Sequence, residues 1–230
     1  MRHEQLALVQ GMADTRAALR RWRGAPIPVL GAWAALSLAI AVGLLAATWL
    51  VATLSTPDPT PLELAGVHRP AAGSDFAHYL ARNSLVLALH ALACVAGFMA
   101  RSSLPVVAEG HTGLLRTIHE RAGSLAVGFV LCATAFSLAT QALVLGRDAA
   151  TVAHQLGVSP YELLAVLSLH AVPELVALFL PLAAWTLAAR RGRWNELLAA
   201  TAVTVAVAVP VMVAAAAVET WVTPHLLAAA

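Results

Sequence analysis

Charged side chains are scarce in this sequence, and their scarcity argues against a soluble protein. Only 11% of the 230 residues are charged, against about 25% in an average soluble domain. Hydrophobic residues make up 60% of the chain, where about 45–50% is usual. The formal net charge of +2 gives no basis for nucleic-acid binding. The composition therefore indicates an integral membrane protein.

Lysine is missing altogether, and cysteine is rare. All fourteen Lys or Arg positions hold arginine, which together with the abundance of Ala, Val and Leu indicates a GC-rich bacterial genome. The two cysteines, Cys94 and Cys132, both lie in apolar runs, which argues against a disulfide framework and a cysteine-based metal site. We expect both to be packing residues.

Long apolar runs are what the sequence has in abundance. They reach the roughly 20 residues that cross a bilayer as a helix, and they are far too long for barrel strands. The sequence predicts an all-α membrane domain over residues 26–230, with spans at about 26–54, 76–100, 122–145, 160–189 and 195–223. The polar run GRDAATVAHQLG is predicted as a loop after the third span. Ser159 and Glu162 have the spacing of a capping box that starts the fourth span.

Residues 1–25 form a polar segment with the pattern of an amphipathic helix. Its two faces consist of Leu8, Met12, Leu19 and Trp22 on one side and Arg16, Arg20 and Arg23 on the other. This pattern favours a helix that lies on the membrane surface. Eleven of the fourteen arginines lie in this segment, in the loop after the second span and in the RRGR run. The positive-inside rule then predicts a cytoplasmic N-terminus and an outer C-terminus.

Polar side chains inside the predicted spans are the candidate functional residues, because a charge at mid-membrane costs about 2.5–3.5 kcal/mol on insertion scales. His170 and Glu174 are four residues apart and share one face of the fourth span. Asn83 and His90 share a face of the second span and reach a similar depth at about 1.5 Å per residue. Glu219 lies near the outer end of the fifth span. We predict an intramembrane polar cluster of these five residues.

Three prolines fall within the same two C-terminal spans. Pro173 and Pro181 lie in the fourth span and Pro210 in the fifth. A proline cannot donate its backbone hydrogen bond, so each is predicted to kink its helix and free a carbonyl. Pro173 lies between His170 and Glu174. The freed carbonyl is therefore expected beside the polar pair.

The polar pair has more than one interpretation. His170 and Glu174 are candidates for a catalytic or metal-binding pair, but no third ligand is evident, so we assign no catalytic residue and leave metal binding open. The other interpretation is a hydrogen-bonded structural cluster that fixes helix register or docks a partner. The sequence contains no cofactor motif.

Three stretches carry a resemblance to a known family. They are FAHYLARNSLVLALHALACVAGF, HAVPELVALFLPLAAW and VETWVTPHL. In order and spacing they resemble the stage II sporulation protein M family of bacterial integral membrane proteins. The resemblance places the characteristic Asn, His, Glu and closing Glu of that family at Asn83, His170, Glu174 and Glu219. The chain departs from the family pattern at Ser84, which replaces a second Asn, and at Ala171, which replaces a Gly.

The resemblance implies a non-catalytic, multi-pass component of a complex in the bacterial cytoplasmic membrane, acting in cell-envelope remodelling or in peptide maturation or export. The expected partners are membrane lipid and other membrane proteins, such as an ATPase or transporter subunit, and a homo-oligomer stays open. One alternative is an intramembrane hydrolase or peptide-processing factor that uses His170 and Glu174. The other is a transporter or channel subunit, since broken helices with polar groups at mid-depth build transport sites.

Overall fold

The fold is described from a computed structural model over residues 7–102 and 113–229, without the side chains of residues 7–10, 100–102 and 114–127. Within these ranges the chain is helical apart from its connections. The helices are α1 (Ala7–Arg23), α2 (Pro26–Leu54), α3 (Gly73–Ser102), α4 (Gly113–Leu156), α5 (Pro160–Arg191), α6 (Leu197–Trp221) and α7 (Thr223–Ala228). A short 3-10 turn, Trp194–Glu196, precedes α6.

Five helices in the described part of the chain are long and apolar enough to cross a membrane, which confirms the predicted number of spans and the all-α class. The spanning stretches are Pro26–Leu54, Gly73–Met99, Gly128–Leu156, Pro160–Arg191 and Trp194–Ala228. Their lengths of 27 to 35 residues exceed the roughly 20 that a bilayer core requires. The chain is therefore a multi-pass membrane protein. The placement of α1 on a membrane surface and the orientation of the termini stay predictions.

The loop predicted after the third span is wrong, because helix α4 continues through it to Leu156. The run GRDAATVAHQL is polar, but its small residues Ala149, Ala150 and Ala153 are buried against Ala52 and Leu163. Buried small side chains let helices approach closely. Packing therefore keeps this stretch helical, although its average polarity is typical of a loop. The helix ends at Gly157, whose φ of 70° is the left-handed conformation that glycine adopts readily.

The extended end of α4 also orders the connection between α2 and α3. The Thr151 hydroxyl accepts a hydrogen bond from the Asp58 backbone N–H at 3.1 Å. The Gln155 side chain accepts from the Leu62 N–H at 2.9 Å and donates to the Thr60 carbonyl at 2.7 Å. A connection without regular secondary structure must satisfy its backbone groups elsewhere, and here α4 supplies the partners.

Helix α5 begins with the capping box that the sequence predicts. The Glu162 carboxylate accepts a hydrogen bond from the Ser159 N–H at 2.8 Å, and the Ser159 hydroxyl accepts one from the Glu162 N–H at 3.2 Å. Helix α5 is continuous through Pro173 and Pro181, and α6 is continuous through Pro210. The kinks predicted at these prolines stay predictions.

The chain divides into two compact units, and each contains part of all five spans. Unit 1 comprises Met1–Ser37, Leu87–Thr134 and Phe179–Val207. Unit 2 comprises Leu38–Val86, Ala135–Leu178 and Ala208–Ala230.

The core of unit 1 is aromatic and closely packed. Trp185 is 2% exposed and packs with Cys94, Phe98 and Leu197. A Cβ added at Gly97 would lie 2.6 Å from the Trp185 Nε1 atom, so only glycine fits beside this indole. The buried Cys94 thiol donates a weak hydrogen bond to the Pro181 carbonyl at 3.2 Å.

Helix α1 packs against other elements of unit 1. Gly11 lies against the side chains of Phe98 and Leu198, where an added Cβ would approach within 2.9 and 2.7 Å. The Arg21 guanidinium forms an ion pair with the Glu196 carboxylate at 2.9 Å. These contacts hold α1 against α3, the 3-10 turn and the start of α6.

In unit 2, Gly146 allows α4 to approach α2 directly. A Cβ added at Gly146 would lie 2.5 Å from the Val51 Cβ and 2.9 Å from the Thr48 carbonyl oxygen. Both are closer than any normal contact, and the Thr48 oxygen belongs to the backbone. The two helices could accommodate a larger side chain only by moving apart.

We expect Gly146→Ala to destabilise the protein by about 1–3 kcal/mol, the usual cost of overpacking a close contact. Gly128→Ala is the matched control in the same helix, because a Cβ there meets nothing within 4 Å. The measurement is reversible unfolding of the detergent-solubilised protein. Equal stability of the two variants would contradict the close approach of α4 to α2.

Candidate functional site

The candidate site lies in unit 2, where α3 and α5 are joined by a polar contact. The Asn83 side-chain amide donates a hydrogen bond from Nδ2 to the Glu174 Oε1 atom at 2.7 Å. Both side chains come from membrane-spanning helices and are half-buried. A hydrogen bond between a neutral donor and a carboxylate is stronger than one between neutral groups. The contact therefore fixes α3 and α5 to each other at this level.

The two carboxyl oxygens of Glu174 differ in their hydrogen bonding. Oε2 is buried and has no hydrogen-bond partner among the residues that the structure describes. The Glu219 carboxyl and the Arg82 guanidinium lie near Glu174, and no direct ion pair joins Arg82 to either carboxyl in the described part of the chain. The site thus contains a buried acceptor oxygen that no group in the described part of the chain satisfies.

His170 is held in a different way. Its Nδ1 atom lies 2.9 Å from the Thr223 hydroxyl, and the residue is only 6% exposed. Which atom donates depends on the tautomer of the imidazole. The contact ties α5 to the start of α7, where Thr223 is also buried. His170 therefore acts as an interhelical link within unit 2.

The His170/Glu174 pair is not assembled as a dyad. The two residues share a face of α5, yet no hydrogen bond joins them, since His170 faces Thr223 and Glu174 faces Asn83. A dyad in which one side chain activates or orients the other requires a hydrogen bond between the two. Over the described residues, no group of three His, Cys, Asp or Glu side chains lies close enough to hold a metal ion.

The predicted five-residue cluster is divided between the two units. Asn83, His170, Glu174 and Glu219 belong to unit 2, whereas His90 belongs to unit 1. The imidazole of His90 packs beside the Phe179 ring, with centroids 5.8 Å apart. The seven positions between Asn83 and His90 correspond to two helical turns, or about 10 Å along α3.

Two residues of this site are not predicted from the sequence. One is Thr223, which directly precedes a proline near the end of a span and whose hydroxyl contacts the buried His170. The other is Arg82, which precedes Asn83 and lies near Glu174 and Glu219. Neither signal identifies its partner, because each partner lies far away in sequence.

Comparisons with protein-family models, with curated proteins and with solved structures find no match for this chain. The fold and the site define it as a multi-pass helical membrane protein with a polar cluster between its spans.

Thr223→Val should remove the partner of His170 and lower the free energy of unfolding by about 0.6 kcal/mol, the average for interhelical hydrogen bonds in membranes, or by up to about 1.7 kcal/mol, the largest value. Thr223→Ser retains the hydroxyl and is expected to lose clearly less. Unfolding of both variants in the same detergent gives the comparison. If Thr223→Val and Thr223→Ser lower the free energy of unfolding equally, the hydrogen bond contributes nothing to stability.

Asn83→Leu should destabilise the protein by about 1–3 kcal/mol, because it leaves the Glu174 carboxylate without its donor. The double variant Asn83→Leu/Glu174→Leu should recover most of this loss, since neither polar group then remains buried. Ser84→Leu is the matched control on the exposed side of α3. Additive losses in the double-mutant cycle would contradict the contact.

Proposed function

We propose that this protein is a non-catalytic subunit of a complex in the bacterial cytoplasmic membrane, and that the polar cluster of unit 2 docks a second membrane protein. The observation that carries the proposal is the buried Glu174 Oε2 atom, which has no partner in the described part of the chain. The cellular role, by the resemblance to the stage II sporulation protein M family, is cell-envelope remodelling or peptide maturation or export.

Energetics favour a docking role for Glu174. An ionisable side chain in a membrane span is costly and is tolerated where it pairs with another polar group. A carboxylate offers about four acceptor positions, and Asn83 uses one. A donor on the helix of a partner subunit would satisfy Oε2 and would stabilise the complex by more than a neutral contact does.

The partial exposure of the cluster also supports docking. Asn83, Glu174 and Glu219 are half-buried residues, and the buried Oε2 atom of Glu174 would meet a donor of the partner after a rotation of its side chain. Leu85 and Leu169 belong to the same helices of unit 2 and are 64% and 53% exposed. They are exposed apolar side chains on the two helices that carry Asn83 and Glu174.

A hydrolase receives less support from the geometry. His170 is hydrogen-bonded to Thr223 and Glu174 to Asn83, so the two members of the candidate pair have separate partners.

The distribution of arginine supports the predicted orientation with a cytoplasmic N-terminus, because in unit 2 the arginines are only Arg69, Arg82 and Arg147. We therefore assign the arginine-rich helix ends of unit 1 to the cytoplasmic side.

Affinity purification of the tagged full chain from native membranes tests the proposal. The wild type should retain a stoichiometric membrane-protein partner, and Glu174→Gln should weaken its retention by roughly tenfold, since a hydrogen bond to a charged group contributes about 1.5–3 kcal/mol. Glu162→Gln is the matched control, because it makes the same change at the exposed start of the same helix.

Recovery of only a monomer or a homo-oligomer would contradict membership in a hetero-complex. A partner retained equally by the wild type and by Glu174→Gln would show that docking does not involve the polar cluster.

A further inference from the structure

A cleft in unit 1 combines an apolar wall with a cationic rim. It lies where the end of α1, the start of α2, the end of α5 and the 3-10 turn meet. Its lining includes Trp22, Val29, Trp33, Leu187, Arg191 and Arg193. We propose that this cleft binds one anionic phospholipid, with the phosphate on the arginines and an acyl chain along the apolar wall.

The wall of the cleft suits the apolar part of a lipid. Trp22 and Trp33 pack edge to face with their centroids 5.2 Å apart, which holds two indoles in a fixed arrangement. Val29 and Leu187 are partly buried beside them. Tryptophan favours the boundary between headgroups and acyl chains, because its ring is apolar and its N–H is polar.

The rim supplies unneutralised positive charge. Arg191 is exposed and has no acidic partner among the side chains that the structure describes. Glu196 also lines the cleft, but its carboxylate is compensated by Arg21 at 2.9 Å and by Arg193 at 3.8 Å. The balance of the rim is therefore cationic, which selects an anion.

A phospholipid fits this combination better than a soluble anion does. Free phosphate would use only the rim and would leave the half-buried Trp22, Val29 and Leu187 side chains without a further contact. Basic pockets at the ends of transmembrane helices bind anionic headgroups, and each nearby arginine contributes on the order of 1 kcal/mol of attraction. The cleft places an apolar wall next to cationic side chains, which is the combination that a headgroup and the adjoining part of an acyl chain require.

Fluorescence quenching of the detergent-solubilised full chain tests the proposal. Phosphatidylglycerol with brominated acyl chains should quench tryptophan at lower concentration than brominated phosphatidylcholine. The double variant Trp22→Phe/Trp33→Phe should remove the difference in quenching between the two lipids. Arg191→Gln should weaken the phosphatidylglycerol response about fivefold, the factor that corresponds to one lost lipid–arginine attraction.

Arg190→Gln is the matched control, because Arg190 is the exposed neighbour of Arg191 and does not line the cleft. Its phosphatidylglycerol response should stay close to that of the wild type. Arg193→Gln is measured in parallel and should also weaken the response, so that the test does not depend on the folding of one variant.

Three results would overturn the proposal. Equal quenching by the two lipids would remove the selectivity for anions. Equal weakening by Arg190→Gln and Arg191→Gln would indicate general surface charge in place of the cleft. Displacement of the lipid by glycerol phosphate at comparable concentration would identify a site for a soluble anion.

Discussion

The hydrogen bond from Asn83 to Glu174 is the contact on which the proposed organisation of unit 2 depends. A carboxylate inside a spanning helix has few partners except those its own protein or a neighbouring subunit provides. Asn83 satisfies one oxygen and thereby sets the register of α3 against α5. The His170–Thr223 contact does the same for α5 and α7. These two side-chain bonds add to the close packing at Gly146 in specifying how the helices of unit 2 fit together.

Much of the fold follows from the sequence because hydrophobic length is a local property. Five runs long enough to span, and the capping box at Ser159, could be predicted without any tertiary information. The end of α4 could not, because its polar composition matches a loop and its helical state depends on alanines packed against distant residues. Local polarity competes there with tertiary packing, and packing decides the outcome.

The sequence predicts the residues of the candidate site better than it predicts the contacts between them. Periodicity placed His170 and Glu174 on one face, but a shared face does not fix which neighbour each side chain meets. Their actual partners, Thr223 and Asn83, come from other helices. His90 lies two helical turns from Asn83 along α3 and packs beside the Phe179 ring. Pairings between helices therefore require the structure.

The hydrogen bonds of Thr151 and Gln155 make the order of the α2–α3 connection depend on the end of α4. Ordering an irregular segment costs on the order of 1–2 kcal/mol of backbone entropy per residue, and part of this cost is offset by hydrogen bonds to its backbone. For residues 58–62 the donors and acceptors lie on the last turns of α4. Fraying of that helix end would release the connection as well. Two segments separated by more than ninety positions in the chain thus order as one cooperative element.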